Sequence, residues 1–319
     1  MAVSRKKRTK ATSKSRAKKS KPIDYLLERG TLQDLVQAKH RTTELRKFHW
    51  AFYSELARQR EEIKGQIFNV LNESAISNFS FTNWQRAVKW KYGLHPLSAL
   101  GSLNMPGGRF NIGDVNTNVP SFPAIYTAVD KDTVLQETLG QAKSQDSRLT
   151  ARDIALTNPE SETIVSVSGT LERIFDLRSA NSLRKFVTLI KGFTISHPIR
   201  QFGERLGAPV GTVATASQLS KILLSKDWSH IPMLYDIPAN SQIFGQLVSL
   251  AGIEGILYPS KFTKKDCLAL FPRNFENSSS FIQLDHEAPD NRVPKRIDAK
   301  NWRLCEMSLN DVFAMASLH

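Results

Sequence analysis

The sequence predicts an α+β fold, a helical N-terminal region followed by short strands and helices that do not alternate strictly. Three observations carry this. Apolar residues recur at steps of three and four across the first third of the chain, as on a helix face. Later segments such as Thr163 to Leu171 alternate apolar and polar residues like a half-buried strand. Strand-like and helix-like stretches then follow one another without the regular βαβ rhythm of a doubly wound sheet.

Taken in order, residues 1–21 hold ten Lys or Arg and no acid. Of the net charge of +14, that leaves four for the rest of the chain, so the basicity belongs to the tail. Such a stretch cannot bury enough apolar surface to fold alone and reads as disordered. It serves either as an arm for nucleic acid or as a solubilising leader. Residues 22–92 read as a helical N-terminal region. One helix starts at Thr31 to Val36. A longer one spans Thr43 to Leu71, with Leu45, Phe48, Phe52, Leu56 and Ile63 on one face. A third, shorter helix is expected over Phe81 to Trp90. Phe48, Trp50, Trp84 and Trp90, at helical spacing, are expected in the core.

Residues 93–286 form the main domain. The apolar run at Phe122 to Tyr126 reads as a buried strand, and Asp130 as the N-cap of a following helix. Asn181 to Ile190, Val213 to Leu224 and Gln242 to Ala251 read as helices. Gly255 to Pro259, Cys267 to Phe271 and Phe281 to Asp285 read as strands. Residues 287–319 are a polar, Pro-containing extension with a small amphipathic piece at Leu309 to Met315.

Composition narrows the function. A 40% hydrophobic content supports a sizeable core. Two cysteines, Cys267 and Cys305, argue against a disulfide framework and fit a reducing compartment, so a cytoplasmic location is expected. No CxxC or HExxH occurs and the seven histidines lack ligand-like spacing, so no metal site is expected. No apolar run reaches membrane-spanning length. Phosphate-binding and nucleophile-elbow motifs are absent, and Cys267, in an apolar strand, reads as a structural thiol.

Four residues stand out. Arg109 lies in Gly107-Gly108-Arg109-Phe110-Asn111, where glycines let backbone approach a ligand closely and a guanidinium fork suits phosphate. Tyr126 offers a flat ring from a strand. Glu137 places a carboxylate on a helix with apolar neighbours, where it needs a partner or a task. Ser260 follows Tyr258-Pro259 at a strand end. Singly, each has an ordinary structural reading: an arginine paired with a surface acid, a core tyrosine, a helix carboxylate, a turn serine.

Together, the Gly-Gly-Arg-Phe-Asn loop, the Tyr126 to Glu137 step and Gly255-Ile-Leu-Tyr-Pro-Ser260 resemble the RES domain, from about His95 to Asn274. That family is named for its Arg, Glu and Ser. The resemblance implies a fold similar to ADP-ribosyltransferase toxins, and a bacterial toxin that degrades NAD+ and is neutralised by an Xre-type antitoxin. It places Arg109, Tyr126, Glu137 and Ser260 at catalytic positions of the NAD+ site. Gly108, Phe110 and Asn111 join Arg109, Tyr126 and Ser260 in the binding set. Phe110, without a hydroxyl, can only pack or stack.

By the same resemblance NAD+ is a substrate and no cofactor is expected. Glu137 would stabilise an oxocarbenium-like ribose, and Arg109 would hold the pyrophosphate or an attacking phosphate. Tyr126 would orient the nicotinamide side, and Ser260 would hydrogen-bond ribose or carboxamide. Water, inorganic phosphate and a protein side chain all stand as acceptors, so glycohydrolase, phosphorylase and ADP-ribosyltransferase remain open. The rival readings are a nucleic-acid-binding protein that uses residues 1–21 and a non-catalytic interaction protein on the same fold.

Overall fold

The computed structural model describes residues 31–139 and 162–317. The basic stretch at residues 1–21 lies outside them. The chain divides into two units, residues 1–43 and 44–319. In the first, Thr31 and Asp34 form a reciprocal cap: Asp34 N donates to Thr31 Oγ1 at 3.2 Å, and Thr31 N donates to Asp34 Oδ2 at 2.6 Å.

Helix α1 runs from Leu32 to Glu62 and α2 from Lys64 to Ser74. The expected boundary before Thr43 is therefore absent. The polar residues that suggested it are satisfied inside the helix, where Thr42 and Thr43 hydroxyls donate to the carbonyls of Ala38 and Lys39. The break falls instead at Ile63, whose φ of −114° and ψ of 17° leave the helical region.

A second correction concerns the expected helix over Phe81 to Trp90. Ile76–Lys89 is a 14-residue strand, β1. It pairs along its length with β5, and the register shifts between Phe81 and Trp84, where Asn83 has φ 57°. That bulge flips the buried parity from Phe81 to Arg86 and Val88. It also leaves Phe81 and Trp84 three residues apart, the spacing that mimics a helix. Trp90, expected in the core, is 66% exposed. Trp50 and Trp84 are half-buried and Phe48 is buried.

The chain continues through a two-stranded hairpin, β2 (Gly107–Gly108) and β3 (Asn111–Ile112), to β4 (Ile125–Ala128). Helix α3 spans Lys131–Leu139 and β5 Glu162–Asp176. As expected, Asp130 caps α3, its Oδ1 accepting from Thr133 N at 2.9 Å. Five helices follow: α4 (Arg184–Ile190), α5 (His197–Leu206), α6 (Ala216–Leu223), α7 (His230–Tyr235) and α8 (Asn240–Leu250). Neither α5 nor α7 is among the helices expected from the sequence. Strands β6 (Gly255–Pro259), β7 (Asp266–Leu270), β8 (Phe281–Leu284) and β9 (Arg296–Asp298) lead to the final helix, α9 (Leu309–Ala316).

Seven strands form one sheet in the order β1-β4-β7-β6-β5-β8-β9, and β1 also pairs with β5. The ladder therefore closes on itself through β1, β4, β7, β6 and β5. The β5–β6 pairing is parallel; the others are antiparallel. Strand alternation sorts the side chains into two cores. Ile125, Leu257, Leu268 and Leu270 join one, with Phe81, Leu171 and Ile282. Ala128, Ile256, Tyr258, Cys267 and Ala269 join the other, under α2, α4, α6 and α8. Tyr126 packs against this second core, and the same face carries the cleft described below. Among the described residues, no helix is long and apolar enough to cross a membrane.

Candidate functional site

The β2–β3 hairpin presents Arg109 and Phe110 at its tip, and its glycines are required by space. Gly107 has φ 93°, a conformation that side chains disfavour. A Cβ on Gly108 would lie 2.4 Å from the Tyr126 hydroxyl. Asn111 fastens the hairpin: its Oδ1 accepts from Gly108 N at 2.9 Å and from Tyr126 OH at 2.8 Å. Its Nδ2 donates to the carbonyls of Ser102 and Phe122. The Tyr126 hydroxyl in turn accepts from Phe110 N at 3.0 Å. Burial raises its pKa, so it stays a neutral structural link while the tyrosine lines the cleft.

Gln242 on α8 is fully buried behind this hairpin. Its Nε2 faces the carbonyls of Pro106 at 2.6 Å, Asn111 at 3.0 Å and Gly108 at 3.1 Å, and its Oε1 accepts from Ala239 N. Gly245, one turn on, lets α8 approach the loop; a Cβ there would meet Phe110 O at 2.0 Å. The sequence places both residues on a helix without pointing to a role for them. Their signal, a buried amide and a helical glycine facing a distant loop, is legible only in three dimensions.

Arg109 is 6% exposed. Its Nη1 donates to Ser225 O at 2.6 Å, its Nη2 lies 3.6 Å from Glu137 Oε2, and its buried Nε has no protein partner. Glu137, in the last turn of α3, is held from the other side. Its Oε1 accepts from Ser260 Oγ at 2.6 Å and from Lys261 N at 3.2 Å. The Ser260 hydroxyl also accepts from Phe262 N and Thr263 N, which uses its hydrogen-bonding capacity. One carboxylate oxygen is thus fixed by protein donors, and the other faces a buried guanidinium with spare donors.

These groups border a cleft of about 450 Å³, within the range of small-molecule sites. Gly108, Arg109, Tyr126 and Glu137 line it. The other three residues of the expected set lie behind its wall. Phe110 is fully buried and packs edge-on against Tyr258, with ring centroids 4.9 Å apart. Asn111 spends its amide on the hairpin, and Ser260, fully buried, reaches Glu137.

The cleft also holds residues the sequence reading passed over. Arg86, buried, donates to the carbonyls of Pro96, Ser98 and Tyr126. Burial draws its pKa down to about 10. Lys226, Trp228 and Ser229 contribute from the loop between α6 and α7. Cys267 borders the cleft as well, but burial, reinforced by the negative Glu137, pushes its thiol well up. It stays protonated, in keeping with a structural thiol.

A search of curated proteins returns no match. Among solved structures, the chain is similar to one in the crystal structure of the M. tuberculosis MbcT-MbcA toxin-antitoxin complex, at 16% identity and a TM-score of 0.39. That similarity covers 78% of this chain and 97% of the other. The family model for the RES domain matches residues 83–290, a span that contains the hairpin, α3 and the β6 end where Arg109, Glu137 and Ser260 meet. The chain belongs to the RES domain family.

Proposed function

We propose that this chain is a RES-type toxin that breaks the bond between nicotinamide and ribose in NAD+. The observation that carries the reading is the clamped carboxylate: Glu137 Oε1 is held by Ser260 and Lys261 N, and Oε2 faces Arg109 across 3.6 Å at the wall of a cleft of about 450 Å³. In the reaction the bonding pair of the C1′–N bond leaves with nicotinamide, which departs neutral and needs no general acid. Positive charge builds on the ribose ring, and a pre-oriented carboxylate stabilises it without reorganisation. Water or phosphate then forms the new bond at C1′, and the proton lost by water passes to solvent.

In this scheme Glu137 meets the developing charge and Arg109 holds phosphate oxygens through its spare donors. The Tyr126 ring bounds the nicotinamide side. Ser260 acts as a positioning residue, since its hydroxyl is spent on Glu137 and on two backbone amides. The family resemblance further brings a neutralising Xre-type antitoxin as partner.

The acceptor is tested by incubating purified protein with NAD+, with and without phosphate, and separating the products. Phosphate-dependent nicotinamide release with ADP-ribose 1″-phosphate identifies a phosphorylase. Release without phosphate, giving ADP-ribose, identifies a glycohydrolase. Absence of nicotinamide release under both conditions would overturn the reading.

A further inference from the structure

The loop of residues 225–229 forms a wall of the cleft that the reaction above leaves without a task. Lys226, Trp228 and Ser229 line the cleft beside Arg109. The loop is fastened to the site, because Ser225 O accepts from Arg109 Nη1 at 2.6 Å. Its turn is braced by Asp227 N donating to Ser225 Oγ at 3.2 Å and by His230 N donating to Asp227 O at 3.2 Å.

The Trp228 indole is half-buried. Among the described residues it makes no ring or cation–π contact and its Nε1 makes no hydrogen bond, although it lines the cleft. The Lys226 ammonium is exposed and, among the described residues, has no carboxylate partner. The cleft lining as a whole carries Arg86, Lys89, Arg109 and Lys226 against Glu137 and Glu162, an excess of positive charge. A flat ring that lines the cleft without an aromatic or cationic partner, with an ammonium two residues away, suits a base and the phosphate attached to it. Stacking supplies affinity for any planar base, and the ammonium favours the anion beside it.

We infer that residues 225–229 read the nucleotide half of the substrate: Trp228 stacks on the purine, and Lys226 pairs with the adjoining phosphate. The inference rests on the NAD+ reading above. The Arg109–Ser225 bond then joins the two halves of the site, so that one loop positions both the recognition ring and the guanidinium next to Glu137.

Nicotinamide mononucleotide carries the same scissile bond without the base or the second phosphate, which separates recognition from chemistry. For Trp228→Ala in the full chain, the KM for NAD+ rises roughly 10-fold, and the ratio of kcat/KM for NAD+ over nicotinamide mononucleotide falls by about as much. Trp228→Phe, which keeps a stacking ring, recovers most of the loss. A KM for NAD+ within about twofold of wild type, or an equal fall for both substrates, would overturn the inference. If the wild type cleaves neither substrate, the proposed reaction fails. Tryptophan fluorescence on titration with AMP then decides separately. Saturable quenching lost in Trp228→Ala supports the loop's role, and its absence in the wild type refutes it.

Discussion

Ser260 and Glu137 come from segments 123 residues apart and meet through a 2.6 Å hydrogen bond from the hydroxyl to Oε1. The same hydroxyl accepts from Phe262 N and Thr263 N, so the strand end and the α3 carboxylate are locked together. Removing the hydroxyl unpins Glu137 and leaves two backbone amides without their acceptor. Ser260→Ala is therefore expected to lower kcat about 10-fold or more with a smaller change in KM, the pattern of a lost orientation rather than a lost substrate contact. Steady-state kinetics check this. A rise in KM with kcat intact would return Ser260 to substrate binding.

Gln242 makes a second prediction. Its amide serves three carbonyls of the hairpin and fixes Ala239 N. Gln242→Leu keeps the volume but strands those groups in a buried place, at about 1–3 kcal/mol. Denaturant unfolding should show that loss. NAD+ turnover should fall with it, because Arg109 sits at the tip of the loosened loop.

The third prediction concerns packing. The Cβ of Gly245→Ala would meet Phe110 O at 2.0 Å, and backbone cannot move aside cheaply. The expected destabilisation is about 1–3 kcal/mol, with α8 pushed off the hairpin. Gly65→Ala, on α2 and with nothing within 4 Å of the added Cβ, is the helical control.

A fourth prediction is a pH dependence of stability. His95 is 2% exposed and neither ring nitrogen has a partner. Burial, aided by the positive Arg86, lowers its pKa to about 4 from 6.5. Between these values the unfolded chain binds the proton and the folded chain does not. His95 therefore adds nothing to pH dependence above about 6.5, destabilises progressively as pH falls toward 4, and levels off below. The thermal midpoint should drop between pH 7 and pH 5, and His95→Asn should flatten that slope. An unchanged slope would show that His95 is not buried neutral.

How much of this was legible in the sequence follows from the range of the interactions. Local signals were readable: the Asp130 cap of α3, the short apolar strands β6, β7 and β8, and the Gly-Gly-Arg loop before a strand. β1 was misread because one bulge at Asn83 turned a period of two into a helix-like spacing of aromatics. Gln242, Gly245 and the loop at residues 225–229 are not legible locally because their partners lie far along the chain, 131 residues away for Gln242 and Asn111 O. Arg86, whose acceptors Pro96 and Ser98 are near in sequence, was hidden by the helical reading of its segment. Ser260 was placed correctly at a strand end, but only the geometry turns its hydroxyl toward Glu137 and away from the cleft.

The role of the Glu137 carboxylate is tested by nicotinamide release from NAD+ by the wild type and by Glu137→Gln. Glutamine keeps the shape and the acceptor for Ser260 and removes the charge. Nicotinamide release is expected from the wild type, with a fall of about 100-fold or more in the variant while its far-UV spectrum stays that of the folded chain. A wild type that releases no nicotinamide, or a variant that matches it, would remove Glu137 and NAD+ cleavage from the function of this chain.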